Sequence, residues 1–294
     1  MVVTSDDRWV ESFERARPRL RAVAYRMLGS LSDTDDAVQE AGLRLSRTGD
    51  GAEVQNIDAW LTTVVARICL NMLRARHSRP DEKLVAALPD LLVDPMDEVD
   101  PEHEALLADS VGLALFVVLD TLAPNERLAF VLHDVFAVPF DEIALIVERS
   151  VDATRKLASR ARRRIQAVEP SPDSDLAAQR EVVDAFFAAA RSGDFDRLVA
   201  VLHTEVVLRG DFGPAGTRSA RGAAAVANLA QVYAGHDRQV RPATVNGAAG
   251  AVIVQAGRVV AVMGFIVNGG KVTMIDVLAD QSRTAQMDFS AVVP

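Results

Sequence analysis

The chain has 294 residues, a formal net charge of −9, 49% hydrophobic and 5% aromatic residues, and one cysteine, Cys69. That length suits about two or three domains. No apolar run reaches the ~18 residues of a membrane span, the opening MVVTSDDRWVESFERARPRL lacks a signal-peptide core, and one cysteine excludes an internal disulfide or a cysteine-based zinc cluster. The expectation is a soluble, cytoplasmic, multi-domain protein with Cys69 as a buried thiol.

The first block, from about Arg8 to Arg79, reads as helical throughout. Phe13, Leu20, Val23, Ala24, Met27 and Leu28 form a stripe that stops at Gly29. Ser32-Asp33-Thr34-Asp35 matches a capping box and opens a helix through Leu45. Ala37, Val38, Ala41 and Leu45 face inward on it, while Asp36, Gln39, Glu40 and Leu43 share another face. A polar loop from Arg47 to Asn56 contains Gly49 and Gly51. The next helix has an apolar face of Ile57, Trp60, Leu61, Val64, Val65, Ile68 and Met72. Its end carries Arg67, Asn71, Arg74, Arg76, His77 and Arg79, and such cations also complement the helix dipole.

Between Asp81 and Asp109 ten acids face only Lys83, a balance equal to the net charge of the whole chain. With Pro80, Pro89, Pro95 and Pro101, the stretch 81–108 reads as an acidic linker. Two readings stay open. It is a solvated spacer extended by self-repulsion, or it occupies a basic channel of a partner or mimics nucleic acid.

The second block, 109–168, starts with a helix carrying Val111, Leu115, Val118, Leu119 and Leu122. Pro124 suits the first position of a helix through Phe136. Two short helices then meet at the tight turn Glu148-Arg149-Ser150. Phe140, Ile143, Ala144 and Val147 share one face of the first. Ser150 caps the second, whose inward stripe is Val151, Thr154, Leu157, Ala158, Ala161 and Ile165. Outside it lie Asp152, Arg155, Lys156, Ser159, Arg160, Arg162, Arg163 and Arg164. This is the layout of a helix-turn-helix, with long cations able to bond phosphates and guanine edges.

After a second linker, 169–175, the period changes. Leu176 to Leu202 reads as two helices broken at Ser192-Gly193-Asp194, and a third spans Ala223 to Tyr233. Strands are expected over Glu205 to Arg209, Val240 to Asn246, Ala251 to Gln255, Arg258 to Val267 and Lys271 to Leu278. Turn signals at Asn246-Gly247, Gly257 and Asn268-Gly269-Gly270 separate the later ones. The block 176–294 is therefore an α+β domain.

Together these residues resemble a sigma-70 family factor of the extracytoplasmic-function type. Thr34 to Leu45, TDDAVQEAGLRL, is similar to region 2 where it docks on the RNA polymerase clamp. Ile57 to Arg79 resembles the part that melts and reads the −10 promoter element. NERLAFVLHDVF and the helix-turn-helix resemble region 4, reader of the −35 element. The third block resembles the SnoaL-like fold, a cone-shaped α+β barrel, which in one group of these factors regulates the chain in place of a separate anti-sigma protein. Three motifs of that group are altered. Its Asp-Gly-Gly-Gly-Lys loop falls on Asp211-Phe212-Gly213-Pro214-Ala215. Its Asn-Pro-Asp-Lys-Leu stretch becomes Ala279-Asp280-Gln281-Ser282-Arg283. Its Trp-Leu-Pro-Glu-Pro linker motif is reduced to Ala87-Leu88-Pro89-Asp90.

The resemblance implies a multi-domain architecture of two all-α DNA-binding domains followed by the SnoaL-like barrel. Region 2 takes 1–80 and region 4 takes 109–168. Core RNA polymerase and promoter DNA are the partners, and the C-terminal domain makes an intramolecular contact with the sigma domains. Asp36, Gln39, Glu40 and Leu43 would bind the polymerase clamp. The loop Arg47 to Asn56 would capture a flipped base. Arg67, Asn71 and Arg74 would hold the −10 strand, and Arg155, Lys156, Ser159, Arg160 and Arg163 the −35 element. Asp211 and Gly213 would form a regulatory loop. No cofactor, metal or catalytic residue is expected. His203, Asp211, Asp237 and Asp276 are the acids and bases an enzyme would need, without a visible pairing. A small-molecule pocket without chemistry, or a stand-alone helix-turn-helix regulator with a ligand-sensing domain, are the competing readings.

Overall fold

The computed structural model describes residues 5–48, 56–77, 88–96, 100–107, 112–168, 173, 175–235 and 237–293. The chain divides into two compact units. One comprises residues 1–86, 104–109 and 116–169, the other 87–103, 110–115 and 170–294.

In the helical unit, α1 (Ser5–Leu28), α2 (Leu31–Thr48) and α3 (Ile57–His77) pack on one another. Gly29 ends α1 with φ 68°, a conformation glycine adopts without strain. The α2 helix begins before the expected capping box. Ser30, not Ser32, supplies the cap, its Oγ accepting from the Asp33 amide at 3.3 Å. Ala37, Val38, Ala41 and Leu45 are buried as the 3.6-residue period requires. Arg76 from α3 bridges both earlier helices, donating to the Leu28 carbonyl at 3.1 Å and pairing with Asp33.

After the short helices α4 (Pro101–Leu107) and α5 (Gly112–Leu119), the same unit holds α6 (Pro124–Phe130), α7 (Phe140–Val147) and α8 (Val151–Val168). The helix expected to run to Phe136 instead loosens into a π-helical turn over Val131–Val135, where the Phe136 amide reaches the Val131 carbonyl. Such insertions mark departures from the regular ladder. Here it ends at Ala137, with φ 55°, and redirects the chain into α7. Arg127 is buried in this unit. It donates to the Arg26 carbonyl at 3.2 and 3.1 Å and to Asp120 at 2.7 Å, joining α6 to α1. Burial lowers its pKa, opposed by the Asp120 charge. Tyr25 and Phe116 meet edge-to-face with centroids 4.9 Å apart.

The second unit is the α+β domain. Its sheet has the order β1-β4-β5-β6-β7-β2-β3, built from β1 (Val93–Asp94), β2 (Leu202–Asp211), β3 (Thr217–Arg221), β4 (Arg238–Val245), β5 (Ala248–Gln255), β6 (Arg258–Asn268) and β7 (Lys271–Leu278). The expected meander is β4 to β7, all antiparallel. β2 joins β7 in parallel. Register shifts interrupt β2, β5–β6 and β6–β7. Irregularities of this kind bend a strand and increase its twist, curving the sheet. α9 (Leu176–Ser192), α10 (Phe195–Val201), α11 (Ala223–Tyr233) and the short α12 (Gln281–Thr284) also belong to the domain. Asp175 and Asp194 cap α9 and α10, and Gly193 ends α9 at φ 69°. Phe186, Phe187 and Phe265 stack edge-to-face with centroids 5.4–5.6 Å apart. Each such pair contributes about 0.5–1.5 kcal/mol beyond its buried area.

Part of the stretch expected as linker is built into this domain. Val93 and Asp94 pair with Val245 and Thr244 on the edge of β4. The Leu92 amide donates to Asn246 Oδ1 at 2.6 Å, and the Asn246 amide to the Leu92 carbonyl at 2.8 Å. Leu88, Leu91, Leu92 and Val93 are buried. A spacer held open by charge repulsion does not bury four aliphatic side chains, and here the carboxylates among them have found partners. Asp94 Oδ1 takes the Asp100 amide at 3.1 Å and His103 Nδ1 at 2.7 Å.

Candidate nucleic-acid and polymerase interface

The helix-turn-helix forms as its spacing requires. Glu148, with φ 56°, makes the sharp turn, and the Ala153 amide donates to Ser150 Oγ at 3.2 Å. Thr154, Ala158 and Ala161 are buried, so the opposite face of α8 is exposed. Arg155, Lys156, Ser159, Arg160 and Arg163 all lie there. Arg155 pairs with Asp152 on its own helix at 3.1 Å and sits over the Phe140 ring at 5.9 Å. Other arginines of α8 brace it against the preceding helices. Arg162 reaches Asp134 at 2.6 Å, and Arg164 reaches Glu126 at 2.9 Å. Arg160 is 3.7 Å from that same buried carboxylate. Glu126 and Asp134 were not singled out from sequence. An acid on an amphipathic helix gives no signal of its partner until the helices cross.

On α2, Asp36, Gln39 and Leu43 are exposed, and Glu40 is half-buried and bonded to Arg44 at 2.9 Å. Leu43 stands out, 46% exposed amid polar neighbours. On α3, Arg67, Asn71 and Arg74 occupy successive turns of one exposed face. Arg67 donates to the Leu145 carbonyl on α7 at 3.1 Å, and Arg74 to Asn125 Oδ1 on α6 at 3.0 Å. The loop expected to capture a base lies mostly outside the described residues, Gly49 and Gly51 included. Cys69, on the buried face of α3, has its thiol pKa pushed up to about 12 by burial.

In the α+β domain Asp211 and Gly213 meet as one loop, the Gly213 amide donating to Asp211 Oδ1 at 3.0 Å. Gly213 has φ 60°, and a β-carbon there would lie 2.8 Å from Asp280 Cγ. Arg283 gathers the altered motifs. It donates to Asp211 Oδ2 at 2.7 Å, to Asp90 Oδ1 at 2.6 Å and to the Leu88 carbonyl at 3.0 Å. Burial alone would lower the Arg283 pKa. The two carboxylates outweigh it and hold the guanidinium above its ordinary value.

The candidate acids and bases are not brought together. His203 Nδ1 accepts from the Glu205 amide, Asp237 accepts from Gln255, Asp211 binds Arg283, and Asp276 is buried in a bidentate pair with Arg209 at 2.8 and 2.7 Å. Among the described residues, no group of His, Cys, Asp or Glu has the arrangement of a metal site. No described helix is long and apolar enough to cross a membrane.

Two family models match the helical blocks: Sigma-70 region 2 over residues 13–79 and Sigma-70, region 4 over residues 113–165. The ECF RNA polymerase sigma factor SigJ of Mycobacterium tuberculosis is 40% identical over 220 residues, 72% of this chain and 69% of that protein. The "Probable ECF RNA polymerase sigma factor SigI" of the same species is 33% identical over 276 residues, covering 90% of this chain and 91% of its own. The crystal structure of M. tuberculosis SigJ superposes with a TM-score of 0.72 at 35% identity, over 96% of this chain and 99% of that one. The chain belongs to the extracytoplasmic-function RNA polymerase sigma factors, of the kind with helical sigma domains followed by a SnoaL-like α+β domain.

Proposed function

We propose that this sigma factor works by opening. Region 2, over 1–80, docks on core polymerase through Asp36, Gln39, Glu40 and Leu43, and grips the −10 strand with Arg67, Asn71 and Arg74. Region 4, over 109–168, grips the −35 element with Arg155, Lys156, Ser159, Arg160 and Arg163. Both act in the cytoplasm, where the polymerase is. The carrying observation is that Arg67 and Arg74 are bonded to α7 and α6 of region 4 within one compact unit. The two promoter elements lie about 25 base pairs apart, roughly 85 Å at ~3.4 Å per pair. A unit of roughly 150 residues has a radius of gyration of only about 15 Å. The packed arrangement spans one element, never both, so it is idle until polymerase holds the regions apart. Linked readers then combine through effective concentration.

The C-terminal domain, 176–294, biases that opening through the linker, most of whose middle it holds. Arg283 clamps Asp90 and Leu88, and β1 is stitched to β4. The same contacts support self-regulation without a separate inhibitor. The test is transcription in vitro with purified core polymerase on a promoter library. The wild-type chain should initiate at a defined promoter, and Asp90→Asn or Arg283→Gln should change that output. Footprinting on duplex DNA without polymerase would instead favour a stand-alone regulator, and unchanged output in both variants would remove the clamp from the account.

A further inference from the structure

The α+β domain encloses a cavity of about 250 Å³ that none of the sigma chemistry uses. Its floor is Phe186, Phe187, Leu208 and Ile253, all buried, with helices α9 and α11 and the sheet contributing the walls. Every lining side chain is apolar except three, and all three are arginines: Arg191, Arg218 and Arg238. Arg191 and Arg218 are exposed and Arg238 half-buried, so the positive charge sits on the outer part of an apolar chamber. No carboxylate lines it. Asp237, next to Arg238 in the chain, is exposed and accepts from Gln255. Arg218 lies over the Phe212 ring, 5.2 Å from its centroid, which places its guanidinium along the wall.

We propose that this cavity is a binding site for a compact apolar carboxylate, one with a medium alkyl chain or a single aromatic ring. The apolar lining favours a hydrocarbon body and offers nothing to a sugar or a nucleobase, since binding sites fix polar ligands through a few placed donors and acceptors. Arginine presents five N–H donors in a fork that matches a carboxylate, more than one existing partner uses. Among the lining side chains a cation would meet only like charge. The volume falls below the roughly 300–1,000 Å³ of drug-sized pockets, which limits the guest to a small one. None of the lining residues is an acid or base near neutral pH, so the guest is held and not turned over. Gly210 serves the same chamber: a β-carbon there would lie 2.5 Å from the Phe212 ring, so glycine lets that ring form the wall.

The test is isothermal titration of the full-length protein with decanoate and 4-butylbenzoate, against decan-1-ol and decyltrimethylammonium at matched concentrations. One carboxylate should bind per chain, with the alcohol weaker by about tenfold or more, as expected for a charge-assisted pair, and the cation silent. Arg218→Gln should bring the carboxylate down toward the alcohol. Ala261→Trp, which fills the chamber, should abolish binding of both, and Ala230→Leu gives the same test with a smaller insertion should the first variant not fold. The proposal is overturned if neither carboxylate binds, if the alcohol binds as tightly, or if a folded cavity-filling variant binds unchanged.

Discussion

Helices α3 and α8 are both rich in arginine, yet they spend it differently. On α3 the cations reach other helices: Arg67 holds α7, Arg74 holds α6, and Arg76 holds α1 and α2. On α8 the bracing arginines are one set, Arg162 and Arg164, while Arg155, Lys156, Ser159 and Arg163 lie on the exposed face. The face proposed for the −35 element is thus displayed in the packed state, and the face proposed for the −10 element is partly consumed in making that state. The same residue type is left displayed or made a strut according to what crosses it.

The largest expected effect breaks the packing that produces this contrast. Arg127→Ala removes the buried tie from α6 to the Arg26 carbonyl and abandons Asp120. It should cost about 3–5 kcal/mol, the usual penalty for removing one partner of a buried pair, read as a lower urea midpoint. A second comparison sharpens the two faces directly. In holoenzyme, Arg163→Ala should weaken promoter binding by about 1–3 kcal/mol if it reads a base, and flatten the salt dependence by about one charge if it holds a phosphate. Arg67→Ala should lose the same kind of DNA contact while also loosening the idle state, so its net loss in full-chain transcription is smaller than its loss in DNA binding by the assembled holoenzyme. Asn125→Ala frees Arg74 without touching DNA. Losing one such hydrogen bond changes the balance by about 0.5–1.5 kcal/mol, and transcription from limiting protein should rise accordingly. The smallest effect is on Cys69. With its thiol held near pKa 12 by burial, the native chain should not react with a disulfide reagent at pH 8, and should react once unfolded in urea.

Much of this molecule was legible before its structure. The third α+β helix, Ala223–Tyr233, and the strand Lys271–Leu278 fall at their expected limits, because an uninterrupted period was bounded by glycine or a polar turn. The helix-turn-helix was legible for the same reason, with Ser150 as an unambiguous cap. β3, Thr217–Arg221, was missed. Its side chains are nearly all exposed, so backbone pairing with β2 carries it and no apolar alternation announces it. The docking of residues 88–96 is masked in the sequence by the density of carboxylates around Leu88, Leu91, Leu92 and Val93. Asn246-Gly247 is the turn its residue types announce, with φ 50° and 76°. That the Asn246 side chain also holds Leu92 belongs to tertiary structure alone. The cations among the candidate DNA-facing residues were legible as exposed, but the bonds of Arg67 to α7 and Arg74 to α6 were not, since those depend on how helices far apart in sequence cross.

The two-residue strand β1 also acts as a shield. It covers part of one margin of the sheet, pairing with Val245 and Thr244 at the end of β4. Wherever residues 88–96 lift away, those backbone groups lose their partners, and an uncovered sheet margin is a template for joining another chain. If the proposed opening releases this tether, the sheet acquires a sticky edge, and the released form carries its own pressure either to re-close or to self-associate.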